Sequence, residues 1–140
     1  MLVQEWVNPR PLTVAPETTL AEAKALMEKY WIRHLIVVEG EALVGVLSDR
    51  DVRTASLPPV AQTPAAARED HLARVAVREA MTRDPRTVRP DTPLVDVARL
   101  MIEHRFSGVP VIADGRLVGI LTETDILRAF IQMVEGERAV

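Results

Sequence analysis

Shifted by 74 residues, the chain lies on itself. Residues 3–51 match residues 77–125 without a gap, and sixteen of those forty-nine positions are identical. Among them are Val3/Val77, Glu5/Glu79, Pro11/Pro85, Thr13/Thr87, Gly45/Gly119, Leu47/Leu121 and Asp51/Asp125. A repeat of this length fixes the architecture before any single element is read, because each copy must fold the same way. Some fifty residues bury too little surface to stand alone, so two copies are expected to share their stability.

Each copy reads as β-α-β-β-α, an α/β (α+β) unit. Residues 12–14 and 86–88 are short extended pieces near prolines. Thr18 or Thr19, and Thr92 ahead of Pro93, are candidate N-caps, with Thr-Pro expected at N-cap and N1. Leu20, Ala23, Leu26, Met27 and Tyr30 then recur at helical spacing, as do Leu94, Val97, Leu100, Met101 and His104. Two strands follow, 34–38 with 43–47 and 109–113 with 117–121, joined by turns at Glu39-Gly40-Glu41 and Asp114-Gly115. A last helix opens at Ser48 or Thr122. This places one domain at 1–56, a linker at 57–75, a second domain at 76–134 and a tail at 135–140. In the linker, Ser56-Leu57-Pro58-Pro59 breaks the chain and Thr63-Pro64 restarts a helix from Ala65 to Leu72. The two copies are expected to pack sheet to sheet about a pseudo-two-fold axis, with apolar residues of the outer helices covered by a second chain.

Composition narrows the function. The formal charge of −3 lacks the broad basic surface of a nucleic-acid binder, and the absence of cysteine removes thiolate chemistry and Cys-based zinc sites. The longest apolar runs, such as Leu35–Val38, are too short to span a membrane, and the first residues lack a signal-peptide pattern. A cytoplasmic location is expected. No nucleophile elbow, phosphate-binding glycine loop or His-Glu-x-x-His segment is present, so no catalytic or metal-ligating residue is assigned. Trp6, Trp31, Tyr30, Phe106 and Phe130 are expected in the core or at a dimer contact. His71 and His104 read as helix-surface residues.

The copies agree most closely at Gly45-Val46-Leu47-Ser48-Asp49-Arg50-Asp51 and Gly119-Ile120-Leu121-Thr122-Glu123-Thr124-Asp125. A strand ends at a hydroxyl residue, a helix begins, and a carboxylate follows three positions on. A hydroxyl at a helix start suits a phosphate, and a carboxylate in the first turn can accept both hydrogens of a ribose diol. The same spacing is also a capping box, whose whole purpose is to satisfy backbone donors. Spacing alone leaves both readings open. An anion in an acidic chain needs local cations, for which Arg33, His34, Arg50, Arg53, Arg105 and Arg128 are candidates. His34, at a strand start, titrates nearest neutral pH.

These features together resemble a pair of CBS domains, a Bateman module, over about residues 1–53 and 76–134. The resemblance rests on the doubled G-h-h-[ST]-x-x-D run, the Gly108-Val109-Pro110-Val111-Ile112 segment and the P-x-T-V pieces at Pro11–Val14 and Pro85–Val88. It extends to the CBS part of acetoin-utilisation-type proteins, here read as a stand-alone module. It implies clefts between the domains that take AMP, ADP, ATP or S-adenosylmethionine, and regulation of a partner protein through shape. Position by position, it implies that Asp51 and Asp125 hold the ribose and that Ser48 and Thr122 sit on the phosphate side. It further implies that Thr13, Val14, Thr87 and Val88 read the adenine edge, and that Leu35, Ile36, Val109 and Pro110 lie against the base. Arg50 and His34 complete the candidate ligand-binding set. The copies part at Ile36 against Pro110 and His34 against Gly108, which implies clefts of different shape. A homodimer is expected. The alternatives are a purely structural dimerisation module and a nucleic-acid-binding regulator, which the net charge disfavours.

Overall fold

A computed structural model describes residues 1–56 and 64–138. These form two units, one of Leu12–Pro85 and the other of Met1–Pro11 with Arg86–Val140.

In the first unit β1 (Thr13–Val14) leads to α1 (Leu20–Tyr30), and β2 (His34–Glu39) and β3 (Ala42–Ser48) form a hairpin. Next come α2 (Asp49–Ala55), α3 (Ala65–Leu72), α4 (Val77–Ala80) and β4 (Thr82–Arg83). The sheet order is β1-β2-β3-β4, with β1 parallel to β2 and the other pairs antiparallel. Thr19 caps α1 by accepting from the Glu22 amide, and the helix turns Leu20, Ala23 and Met27 inward. They pack with Leu35, Val37 and Leu47 of the sheet and with Val52, Leu72 and Val77 of the other helices. Residues alternate across a strand, so His34, Ile36, Val46 and Ser48 occupy the face away from that core.

The second unit repeats the plan with α5 (Leu94–His104), β5 (Gly108–Ala113), β6 (Arg116–Thr122) and α6 (Glu123–Arg138). Its core is Val88, Leu94, Val97, Met101, Val109, Val111, Leu121 and Ala129, together with Val3. Both hairpins close through two-residue turns that need positive φ. Gly40 supplies it in the first (φ 63°), Asp114 and Gly115 in the second (φ 50° and 76°). The helix α6 runs on through Arg138, past the boundary placed at 134 from sequence.

The compact units do not coincide with the sequence repeats, because each takes its leading segment from the other copy. Asn8 bridges Ile120 on the outer side of β6, just as Thr82 pairs with Val46 beside β3. Leu2 bridges Pro93 as Ala76 bridges Thr19. Val3 and Val77 are both fully buried, a contribution of roughly 1.5–3 kcal/mol each from apolar burial. Between these bridges the chain makes a 3-10 turn at Val3–Glu5 in one unit and α4 in the other, with Glu5 and Glu79 each accepting the amide three residues before them. The 3-10 turn, α4 and β4 span only two to four residues each, too short to show a period in the sequence.

Other expectations change locally. Pro93, not Thr92, is the N-cap of α5. Thr92 Oγ1 instead accepts from the Arg89 amide at 3.0 Å, and the Leu94 amide is satisfied by the Met1 carbonyl. Trp31 is 94% exposed beyond α1, in the left-handed region that ends the helix, so it is no core residue. His71 is half-buried and its Nε2 lies 3.1 Å from the Ala55 carbonyl, tying α3 to α2 rather than facing solvent. His104 is exposed as read, its ring stacked with Phe106. The α3 helix spans Ala65–Leu72 as expected, while the Leu57-Pro58-Pro59 break and Thr63 lie outside the described residues.

Candidate functional site

At the end of β3 the chain leaves the sheet at Ser48 in extended conformation and turns at once into α2. Ser48 is the register partner of His34, and two residues inward Val46 faces Ile36. On the other side of β2, Thr13 pairs with Ile36. Thr13, Ile36, His34 and Ser48 therefore share one sheet face, and Arg50 and Asp51 follow in the first turn of α2. Thr13 and Arg50 are exposed, whereas Ile36 is fully buried and His34 only 9% exposed.

The second unit places the equivalent residues the same way. Gly108 pairs with Thr122 and Pro110 with Ile120, while Val88 bridges Val111 with Thr87 beside it. Asp125 lies in the first turn of α6.

Four candidates sit on the opposite face. Leu35 and Val109 are fully buried in the cores of their units, and Val14 and Val88 pack there too. Period-two alternation forces this once Ile36 and Pro110 face the other way, so these four present only backbone to the site face. The sequence reading missed Val46 and Ile120, buried on the site face between the others. Their signal was simply their place two residues before Ser48 and Thr122.

Both acids do the work of caps. Asp51 Oδ2 accepts the Ser48 amide at 2.8 Å while Ser48 Oγ accepts the Asp51 amide at 3.1 Å, a complete capping box. Asp125 Oδ2 accepts the Thr122 amide at 2.9 Å and the Thr122 hydroxyl at 3.3 Å. Capping uses one oxygen of each carboxylate and leaves the other with acceptor capacity. The remaining oxygen of Asp125 lies 3.8 Å from the exposed guanidinium of Arg128. In the first unit the nearby Arg53 pairs with Asp49 instead, at 3.2 Å. The hydroxyls differ in turn: that of Ser48 accepts in its cap and keeps its proton to give, whereas that of Thr122 gives its proton to Asp125.

The arrangement can thus offer a ligand a strand edge, a buried apolar strip, a hydroxyl and a carboxylate oxygen in one row. Among the described residues no group of three or more His, Asp or Glu is placed to hold a metal ion, and no helix is long and apolar enough to cross a membrane.

The CBS domain family model matches residues 3–58 and 77–132. The CBS domain pair of protein MJ0100, solved with 5′-methylthioadenosine and S-adenosyl-L-methionine, superposes with a TM-score of 0.75 at 32% identity, covering 93% of this chain and 95% of that one. CBSX2 in complex with AMP gives 0.75 at 32% identity, over 94% and 97%. The acetoin-utilization-type protein AcuB of Vibrio cholerae gives 0.77 at 30% identity, over 100% and 97%. The chain spans 21–23% of the length of three curated relatives it matches and 94% of another.

Proposed function

The chain belongs to the CBS-domain family as a tandem pair, and from that premise we propose that it is a regulatory module for an adenosine-containing ligand: AMP, ADP, ATP or S-adenosylmethionine. The free carboxylate oxygens of Asp51 and Asp125 take the ribose diol. Ser48, whose hydroxyl keeps its proton to give, and Thr122, with Arg50 and Arg128, face the phosphate or other 5′ group. The backbone at Thr13–Val14 and Thr87–Val88 reads the adenine edge beside Ile36 and Pro110. A ligand that prefers one arrangement of the module shifts its population, and a partner protein in the cytoplasm senses that shape. One observation carries this reading: the same row of groups is built twice, on relatives' folds that hold such ligands at 32% identity.

The test is a thermal-shift and calorimetric panel of AMP, ADP, ATP, S-adenosylmethionine and, as control, GMP. At a hundredfold excess over the dissociation constant, binding to the native state adds about 2.7 kcal/mol, a rise of several degrees in Tm. A panel that leaves Tm unmoved leaves the capping bonds as the acids' only role and makes the chain a scaffold. Salt-sensitive retention of RNA or DNA would instead favour a nucleic-acid regulator.

We also propose a homodimer through α5 and α6. Ile102 is 80% exposed and Leu127 59%, with Val95, Phe130 and Ile131 exposed beside them. At the equivalent places the first copy carries Glu28 and Arg53. The same fold thus keeps a charged surface on one copy and an apolar one on the other, as a self-association face on the second copy requires. Ile102→Glu with Leu127→Arg, which restores the first copy's residues, is expected to halve the mass in sedimentation without changing the circular dichroism. A wild-type chain that sediments as a monomer removes the proposal.

A further inference from the structure

Resting on the ligand reading above, we infer that the two rows ask for different 5′ groups: the first selects an anionic one through Arg50, and the second takes charged and uncharged ones alike. Three charged side chains stand together in the first turn of α2, and two of them are already engaged. Asp49 is held by Arg53 at 3.2 Å, and Asp51 Oδ2 accepts the Ser48 amide at 2.8 Å. Arg50, exposed between them, makes no ion pair among the described residues. The Ser48 hydroxyl accepts the Asp51 amide at 3.1 Å and so keeps its own proton. A guanidinium and a hydroxyl proton are therefore both uncommitted within one helical turn of the oxygen that Asp51 offers the ribose. A phosphate monoester is the 5′ group that takes such donors, through charge-assisted hydrogen bonds.

In the second row the corresponding donors are missing or already engaged. Thr124 stands where the first copy has Arg50. The Thr122 hydroxyl gives its proton to Asp125 Oδ2 at 3.3 Å. Arg128, whose counterpart in the first copy is Thr54, lies 3.8 Å from the other Asp125 oxygen, so its charge is offset by a carboxylate before any ligand arrives. Across the strand pair, Thr122 faces Gly108, which has no side chain, where Ser48 faces His34. A 5′ dianion can reach Arg128 only at the expense of Asp125. The second row therefore gains little from a phosphate and loses little when an uncharged thioether replaces it.

Calorimetric titration of the full chain with AMP and with 5′-methylthioadenosine tests this, since the two share adenine and ribose and differ at the 5′ group. Asp125→Asn leaves the first row intact and Asp51→Asn the second, so each row is read by itself. The Asp125→Asn chain is expected to bind AMP at least about tenfold tighter than the thioether, the worth of hydrogen bonds to a charged group. The Asp51→Asn chain is expected to hold the two within about threefold, the scale of an exposed ion pair. Arg50→Thr, which writes the second copy's residue into the first at an exposed position, is expected to bring the first row's ratio down to that of the second. Thr124→Arg is expected to raise the second row's ratio toward that of the first. A ratio no larger in the first row than in the second, or one that survives Arg50→Thr, would overturn the inference while leaving the ligand reading intact. No binding of either compound by wild type would overturn both.

Discussion

Gly119→Ala is expected to cost about 3 kcal/mol or more and to detach residues 1–11 from the second unit. A methyl group at that position would overlap the Asn8 carbonyl oxygen and stand 2.6 Å from Val7 Cγ2 and 3.0 Å from the Asn8 carbonyl carbon. Overpacking commonly costs about 1–3 kcal/mol when side chains can yield, but here the obstacle is backbone. That backbone is held in place by a pair of hydrogen bonds, Asn8 amide to Ile120 carbonyl at 3.0 Å and Ile120 amide to Asn8 carbonyl at 3.1 Å. Moving it breaks both and pulls Val3 out of the core. Gly45→Ala meets a milder obstacle, since the methyl would lie 2.5 Å from Met81 Sδ, a flexible side chain, and 2.9 Å from the Thr82 carbonyl. It is expected to cost about 1–3 kcal/mol. Gly136, in the last turn of α6 with open space around it, is the control, and Gly136→Ala is expected to stabilise by less than about 1 kcal/mol. Urea denaturation gives the energies, and hydrogen exchange at Asn8 and Ile120 reports the detachment. A Gly119→Ala chain within 0.5 kcal/mol of wild type, its Ile120 amide still protected, would show that the segment is not clamped there.

The glycines also show how far the sequence could be read. The identity of Gly45 with Gly119 was visible as the start of the repeated motif, and the strand, turn and helix around it follow from pattern and turn chemistry. The reason both are glycine was hidden. It lies in a segment exchanged between the repeats, Met81–Thr82 for Gly45 and Val7–Asn8 for Gly119. Residues 3–11 and 77–85 carry the same cues, Val3 and Val77, Glu5 and Glu79, Pro11 and Pro85, so each would suit either unit. Nothing in the letters says which seat each takes. The cap of α5 was misplaced by one residue for a related cause: the Leu94 amide finds its acceptor in Met1, a tertiary partner that local reading cannot supply. The site was legible as a spacing but not as two faces. Leu35 and Ile36, like Val109 and Pro110, are neighbours in sequence, but alternation along the strand sends one of each pair into the core.

Asp125→Ala is expected to lose both a cap and a ligand contact, and Asp125→Asn to separate them. An alanine leaves the Thr122 amide and hydroxyl without their acceptor, about 1 kcal/mol of helix stability. An asparagine keeps a carbonyl oxygen able to accept the amide at 2.9 Å, so Tm is expected to fall by no more than a degree or two. For the ribose the two variants are alike, because the acceptor oxygen that capping leaves over is lost in both: alanine has none, and an asparagine that keeps its carbonyl on the Thr122 amide turns an NH2 donor toward the diol. A hydrogen bond to a charged group is worth about 1.5–3 kcal/mol, so both variants are expected to weaken AMP binding by about ten- to a hundredfold. Asp51→Asn, by the same reasoning, should spare the fold while weakening AMP binding where Asp51 holds the ribose. An Asp125→Asn chain that binds AMP as tightly as wild type would assign the carboxylate's charge to nothing beyond its own helix. Stability held while affinity falls is the signature of a carboxylate whose two oxygens serve two masters, one in the main chain and one in solution.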